Sequence, residues 1–509
     1  MCIDELLGTM DLLTKPRVPI FAVADAVSDA DAAARVSLIL ATTILQSRKP
    51  MHFHSICFKF TVAIIFGALH AYTHAHAQNQ LKPNVVMIIS DDQAWSDYSF
   101  MGHDTIETPN LDSLARQSVV FRRGYVPTAL CRPSLMTLVT GRYAHEHRVT
   151  GNDPSPKYAA RGTNEDNTRR EKLISFVDNF DTLPKKLVEQ GYLCHQSGKW
   201  WEGSFKRGGF THGMTRGFPH KGGRHGDDGL TIGRNGLKPV TEFIDMAVEK
   251  NKPFFVWYAP LLPHTPHNPP QRLLKKYIKD GRPKTIAKYF AMCEWFDETC
   301  GQLIQHLDET NTRDNTLIVY VCDNGWIQNP DKNGFALRSK QSSYEGGIRT
   351  PIMFSWPKKF KPAERTELCS SIDIFPTVVA SAGGSSPEDL PGLNLLPQLE
   401  SARPIGRKSI VGESFAHDIA DLDNPEASLL YRWCISGKWK LLLTYDGEVN
   451  RARHVHPRAE KRPQLFDLIA DPTEQTNLAA ENPNVVAALV KRIDDWYEVE
   501  ERTTLTKFK

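Results

Sequence analysis

The stretch Lys82–Asp92, KPNVVMIISDD, decides the fold. Its apolar residues run without alternation. A strand that is apolar on both faces is buried on both faces, as in a parallel sheet covered by helices. It ends in two adjacent carboxylates, Asp91 and Asp92. Two later runs repeat the pattern. KPFFVWYAPLLPH (252–264) ends in His264, and NTLIVYVCDNG (315–325) ends in Asp323 and Asn324. Between them lie helical segments. ETPNLDSLARQSVVF (107–121) reads as a helix capped by Asn110 or a neighbour. DTLPKKLVEQGYLCHQSGKW (181–200) reads as a helix stopped at Gly191 and then a strand. Residues 286–310 form the clearest amphipathic helix, with apolar positions three and four apart. Strands alternating with helices predict an α/β sheet with helices on both faces. Chemistry in such sheets gathers at the carboxyl ends of the strands, where these polar residues stand.

The segment SSIDIFPTVVASAGG (370–384) closes this region in Gly, Ser and Pro. Past about residue 395 short strands are predicted at 407–415, 431–437 and 438–445, with a last helix at 484–498. The expected division is a catalytic domain over 78–395 and a smaller α+β domain over 396–509. Upstream, Met51 begins a short basic segment followed by the apolar run FTVAIIFGALHAY and the small-x-small triplet Ala75-His76-Ala77. This reads as a signal peptide over 51–77, with 1–50 a non-native extension and the product exported, periplasmic or secreted. No later segment is long and apolar enough for stable membrane insertion.

The chain has 509 residues and a net charge of +3, which gives no basic excess to drive nucleic-acid binding. Seven of its 9 cysteines follow Ala77, and their spacing shows no zinc pattern. Cys293 and Cys300 lie about 10 Å apart along one helix, too far for a disulfide. Few or no disulfides are expected. Cys131 is a special case, in ALCRPSLMTLVTGR (129–142), where a Thr140-Gly141-Arg142 turn closes the segment.

Asp91, Asp92, Asp323 and Asn324 make an all-oxygen set from two strand ends. Hard cations such as Ca²⁺ or Mg²⁺ prefer such donors. Either pair alone would read equally well as turn residues.

DDQ after a first strand, C-x-P-S, TGR, GKW, PH-x-P, DNG and K-x-x-x-YEGG-x-R-x-P occur in that order. The set resembles the type I sulfatases of the alkaline-phosphatase superfamily, from about Pro83 to LFDLIADPTEQTNLA (465–479). The resemblance implies a large mixed central sheet flanked by helices. It implies that Cys131 is oxidised to formylglycine by a formylglycine-generating enzyme. One hydroxyl of the hydrated aldehyde then attacks sulfur, and the second expels sulfate. It implies a Ca²⁺ ion, with Mg²⁺ as the alternative, held by Asp91, Asp92, Asp323, Asn324 and the side chain at 131. Lys199 and Lys340 match two sulfate-holding lysines. His264 matches a histidine that binds sulfate and serves as donor to the leaving group.

Two positions depart from the family pattern. The arginine slot of C-x-P-S-R holds Leu135, and the histidine slot after Gly198-Lys199-Trp200 holds Trp201. Indole only donates, so either another group serves, with His195 and His225 as the candidates, or release of sulfate is slow. Polar loops GNDPSP (151–156) and HGDDGLTIGR (225–234) offer Asp153, His225, Asp227 and Arg234 for a sugar, with Trp201 as an aromatic platform. The expected activity is hydrolysis of a sulfate ester, with a sulfated carbohydrate as substrate. Two rivals share these features. One is a phosphonate monoester or phosphodiester hydrolase on the same scaffold. The other is a non-catalytic sulfated-glycan binding protein whose Cys131 stays a thiol.

Overall fold

In the computed structural model the described residues are 82–401, 403–452 and 462–499. The predicted signal peptide and the extension before it lie outside them. The centre is a nine-stranded mixed sheet. Asn84–Ser90 occupies its middle and pairs in parallel with Thr316–Cys322 on one side and Phe254–Ala259 on the other. Leu193–Gly198 continues the parallel half. Beyond Thr316–Cys322 the sheet turns antiparallel through Arg349–Ser355, which pairs in turn with Val119–Tyr125.

The unbroken apolar runs resolve by parity. Val85, Met87, Ile89, Phe255, Trp257, Val319 and Val321 join one core. Val86, Ile88, Phe254, Val256, Tyr258, Ile318 and Tyr320 join the core on the other face. Successive side chains of a strand point to opposite faces, so two helix layers require both parities to be apolar. The Lys284–Glu309 helix covers the second face with Met292, Phe296, Cys300, Leu303 and Leu307.

Two sequence expectations need correction. The helix read over 107–121 spans only Pro109–Arg116, and its VVF tail begins the Val119–Tyr125 strand. Its start is not capped by Asn110. Asp297, from the long helix, accepts the Asn110 and Leu111 amides at 3.1 and 2.7 Å. A carboxylate from a neighbouring helix thus replaces the local cap.

Past residue 400 a four-stranded antiparallel sheet runs Ser409–Phe415, Leu429–Ser436, Trp439–Thr444 and Gln464–Asp467. The Pro483–Trp496 helix packs on it through Leu489 and Ile493. Lys440 in this sheet is fully buried between Glu345 at 3.1 Å and Glu474 at 2.8 Å. The seven described cysteines are all buried and unpaired. Among the described residues no helix is long and apolar enough to cross a membrane.

Candidate active site

Parallel pairing brings the carboxyl ends of four strands to one edge. Ser90 is level with Cys322, and Gly198 with Ala259. The residues that follow, Asp91, Asp92, Asp323, Asn324 and Lys199, therefore emerge together. Gly198 is required by geometry. It sits at φ +84, and a Cβ there would lie 1.8 Å from the Ala259 carbonyl oxygen. That close approach lets the Lys199 amide donate to the same oxygen at 2.7 Å. Asp92 adopts φ 66, a left-handed conformation few side chains tolerate. Its amide donates to Asp323 Oδ1 at 3.2 Å.

Cys131 is the first residue of the Cys131–Thr140 helix, every residue of which is buried. Its sulfur lies 3.8 Å from Asp91 Oδ1 and 3.9 Å from Asp92 Oδ1. Lys340 Nζ is 3.1 Å from the sulfur and 2.5 Å from Asp92 Oδ1. The Gln341 amide, bonded to the Ala129 carbonyl at 2.9 Å, ties the Lys340 loop to the Cys131 segment. Lys199 Nζ donates to Asp91 Oδ1 at 2.6 Å and stands 3.9 Å from Asp323 Oδ2. His264 Nδ1 donates to the Thr265 carbonyl at 2.6 Å, so that nitrogen carries the proton. Nε2 points into the cluster, 3.3 Å from Asp92 Oδ2.

Three carboxylates face two ammoniums here, and burial raises the cost of the imbalance. Burial and Asp91 push the Asp323 carboxyl well above the usual carboxylate range. Burial acts the same way on Asp92, but Lys340, His264 and Lys199 more than offset it and hold that group low. Burial and Asp323 push the Cys131 thiol well up, against Lys199 and Lys340. Four buried oxygens make no hydrogen bond: Asp91 Oδ2, Asp92 Oδ2, Asp323 Oδ2 and Asn324 Oδ1. Orphaned buried acceptors are costly unless something fills the space between them. A hard divalent cation fits this donor set and this charge deficit.

Comparison with known proteins agrees with the geometry. The Sulfatase family model matches residues 83–384, more than half of the chain. This chain belongs to the sulfatase family. It is a sulfuric ester hydrolase. A second model, N-sulphoglucosamine sulphohydrolase C-terminal, matches residues 334–498. The chain is 25% identical to an N-acetylgalactosamine-6-O-sulfatase of Bacteroides thetaiotaomicron over 85% of its own length and 96% of the relative's. It is 26% identical to human arylsulfatase A, covering 80% of this chain and 86% of that one. The crystal structure of Ps i-CgsB in complex with k-i-k-neocarrahexaose superposes with a TM-score of 0.64 at 25% identity, over 84% of this chain and 95% of its own.

The two departures from the family pattern take defined places in the sulfatase. Leu135 is buried in the first core. The neighbouring guanidinium, that of Arg132, is locked onto Glu202 by two hydrogen bonds of 2.8 and 2.6 Å, with both side chains buried. Trp201 is buried too, with Lys199 Nζ 5.1 Å from its ring centroid. His195 lies in mid-strand and packs on Phe243 at 4.9 Å, directed into the second core. His225 lies 5.5 Å from Trp201, and its buried Nδ1 makes no hydrogen bond. Burial and the charge of Lys199 lower it to about 3, so its imidazole is neutral at physiological pH.

The remaining loop residues expected to meet a sugar all bond to neighbouring protein groups, Asp153 as a buried side chain and Asp227 and Arg234 as half-buried ones. Asp153 is 1% exposed and bound by arginines. Asp227 accepts the Arg216 and Gly217 amides and shapes its own loop. Arg234 donates to the carbonyls of Leu261 and His264 at 2.9 Å, which fastens the His264 loop. Short-range sequence shows that these groups are polar but not which way they turn.

Proposed function

We propose that the chain releases inorganic sulfate from a sulfated carbohydrate, with the side chain at 131, converted to formylglycine, as the attacking group. The observation that carries this reading is the set of four orphaned buried oxygens beside Cys131, closed in by Lys199 and Lys340. Asp91, Asp92, Asp323 and Asn324 would hold a divalent cation, Ca²⁺ before Mg²⁺, which supplies Lewis-acid polarisation of a sulfate oxygen. Lys340 and Lys199 offset charge that develops on the transferring group and the leaving oxygen. His264, whose Nε2 faces the cluster, binds sulfate and delivers a proton to the leaving alcohol from its imidazolium form, in which Nε2 is protonated as well as Nδ1. His225 takes the role for which the family uses a histidine at the Trp201 position, accepting a proton as sulfate departs. The carbohydrate class is supported by relatives named for N-acetylgalactosamine-6-O-sulfate and by the carrageenan oligosaccharide complex. The same reading places the enzyme outside the cytoplasm, where such polymers are met.

The test is to co-express residues 78–509 with a formylglycine-generating enzyme. The peptide containing Cys131 is then weighed, and sulfate release from sulfated disaccharides is assayed. A loss of about 18 Da from the thiol form marks the aldehyde, since CHO replaces CH₂SH off the usual oxidation ladder. An unmodified thiol together with no sulfate release defeats the proposal.

A further inference from the structure

A second cluster of charge borders the first and takes no part in the chemistry above. The short strand Asp153–Pro154 pairs in parallel with Asp418–Ile419, which sets Asp153 opposite Asp418. Both carboxylates are buried, and four arginines surround them. Arg224 grips both oxygens of Asp153, with Nε 2.9 Å from Oδ1 and Nη2 on Oδ2. Arg170 bridges Asp153 and Asp166 at 2.9 Å each. Arg161 stands 3.6 Å from both Asp153 and Asp418. Arg451 lies 3.7 Å from Asp418 and donates to His417 Nε2 at 3.0 Å.

The exposures divide by sign. Asp153, Asp166 and Asp418 are under 9% exposed, whereas the side chains of Arg161 and Arg224 are each 39% exposed and that of Arg451 is 54%. The acids lie beneath and the guanidiniums above: Arg224 is fixed by hydrogen bonds to Asp153, Arg451 by its bond to His417 and Arg161 by ion pairs alone, and the outer edges of all three meet solvent. Asp153, His417 and Asp418 also offer donor atoms within 4.8 Å of one another, a spacing that suits a metal ion. The arginines decide against one. A dication there would face four guanidiniums, and His417 already uses both ring nitrogens, on Asp418 at 2.8 Å and on Arg451.

Two chain segments join this cluster to the reaction centre. Asn152, next to Asp153, accepts the Arg132 amide at 3.1 Å, one residue from Cys131. Arg224 directly precedes His225, which lies against Trp201. We infer that Arg161, Arg224 and Arg451 form a subsite for a second anionic group, a sulfate or a carboxylate, on the sugar next to the one whose ester is cut. The inference rests on the carbohydrate reading above. Guanidinium forks bind either oxyanion through paired hydrogen bonds. A fork held by a buried carboxylate, as that of Arg224 is, has already lost the freedom that binding would otherwise take away.

Calorimetry on the whole protein tests this without turnover. The probes are a hexosamine disaccharide with one sulfate, the same disaccharide with a second sulfate on the neighbouring sugar, and a form with a uronate there. The second anion should tighten binding about tenfold or more, as expected of a charge-assisted fork. The sulfate and uronate arms show which anion is preferred. In Arg161→Ala/Arg451→Ala the ratio of the two Kd values should fall toward one. Arg224→Lys, which keeps a charge on Asp153 but loses the fork, should lower it in part. Arg492→Ala, an exposed arginine on the terminal helix, should leave it as it was. No gain from the second anion, equal weakening for all probes, or Ca²⁺ binding lost in Asp418→Asn overturns the subsite. If no ester releases sulfate, the function above fails, while the Kd ratio still judges the subsite by itself.

Discussion

The ammonium of Lys340 lies 3.1 Å from the sulfur of Cys131, close enough to touch whatever atom replaces that sulfur. It also neutralises Asp92 at 2.5 Å. Replacing Lys340 with Met keeps the length and removes the charge. The expected result is a drop of about 10²–10³ in kcat/KM for an aryl sulfate, the usual size for losing one preorganised stabilising group. A change of under fivefold in steady-state assays would remove Lys340 from the reaction centre.

His225→Gln should lower kcat by about 10²-fold, in the range of a lost general acid or base. If His225 assists departure of sulfate, rapid-quench kinetics should show a burst of released alcohol before the slow steady state. His195→Gln should show no burst, because its ring faces Phe243. Equal behaviour of the two variants would refute the assignment.

Dialysis against a chelator should abolish sulfate release, and Ca²⁺ should restore it. Added Ca²⁺ should also raise Tm, because an ion held at 100 times its Kd stabilises by about 2.7 kcal/mol. Asp323→Asn removes one carboxylate and should weaken that response at least tenfold. Differential scanning calorimetry at several Ca²⁺ concentrations measures it.

Arg132 and Glu202 form a buried bidentate pair one residue from Cys131. Glu202→Ala leaves the guanidinium buried without its partner and should cost about 3–5 kcal/mol. The midpoint of urea unfolding should fall accordingly. A loss below 1 kcal/mol would mean that Arg132 finds water or another acceptor.

Asp97 contributes a pH dependence of stability outside the reaction centre. Burial raises its carboxyl from 3.8 to about 7, against hydrogen bonds from Tyr289 and the Ala94 amide. Between these values the folded state holds a proton that the unfolded state has lost. Stability from this group is therefore complete below pH 4 and declines as pH rises through 7, by up to about 4 kcal/mol. Asp97→Asn should flatten that decline in urea titrations at pH 5, 6, 7 and 8. An unchanged slope would show that Asp97 ionises normally.

The sheet was legible because parallel strands buried on both faces must be apolar at every position, as in 84–90, 254–259 and 316–322. Arg349–Ser355 was not read as a strand, since Pro351 interrupts it and its pairing is antiparallel. VVF at 119–121 continues the apolar spacing of the helix before it yet forms a strand, as β-branched residues and phenylalanine favour. The oxygen set and the lysines were legible as motifs at strand ends. The arginine face was not. Arg161 and Arg451 are 290 positions apart, and nothing local shows that Asp153 and Asp418 turn inward beneath them. His195 and His225 look alike in sequence because both are histidines near glycines, but one lies on a strand facing Phe243 and the other in a turn against Trp201.

Lys440 sets a timetable. Glu345, five residues after Lys340, gives its amide to Glu474 at 2.6 Å and a carboxylate oxygen to Lys440. The pocket around Cys131 is thus bolted by residues synthesised roughly 340 positions later. At about 5–20 residues per second a ribosome needs roughly 20–70 s to cover that distance. In the finished protein Cys131 is 1% exposed, too enclosed for any other enzyme to reach. The proposed conversion of Cys131 would therefore have to take place on the unfinished or unfolded chain, and a molecule that folded first would keep its thiol for as long as it remained folded.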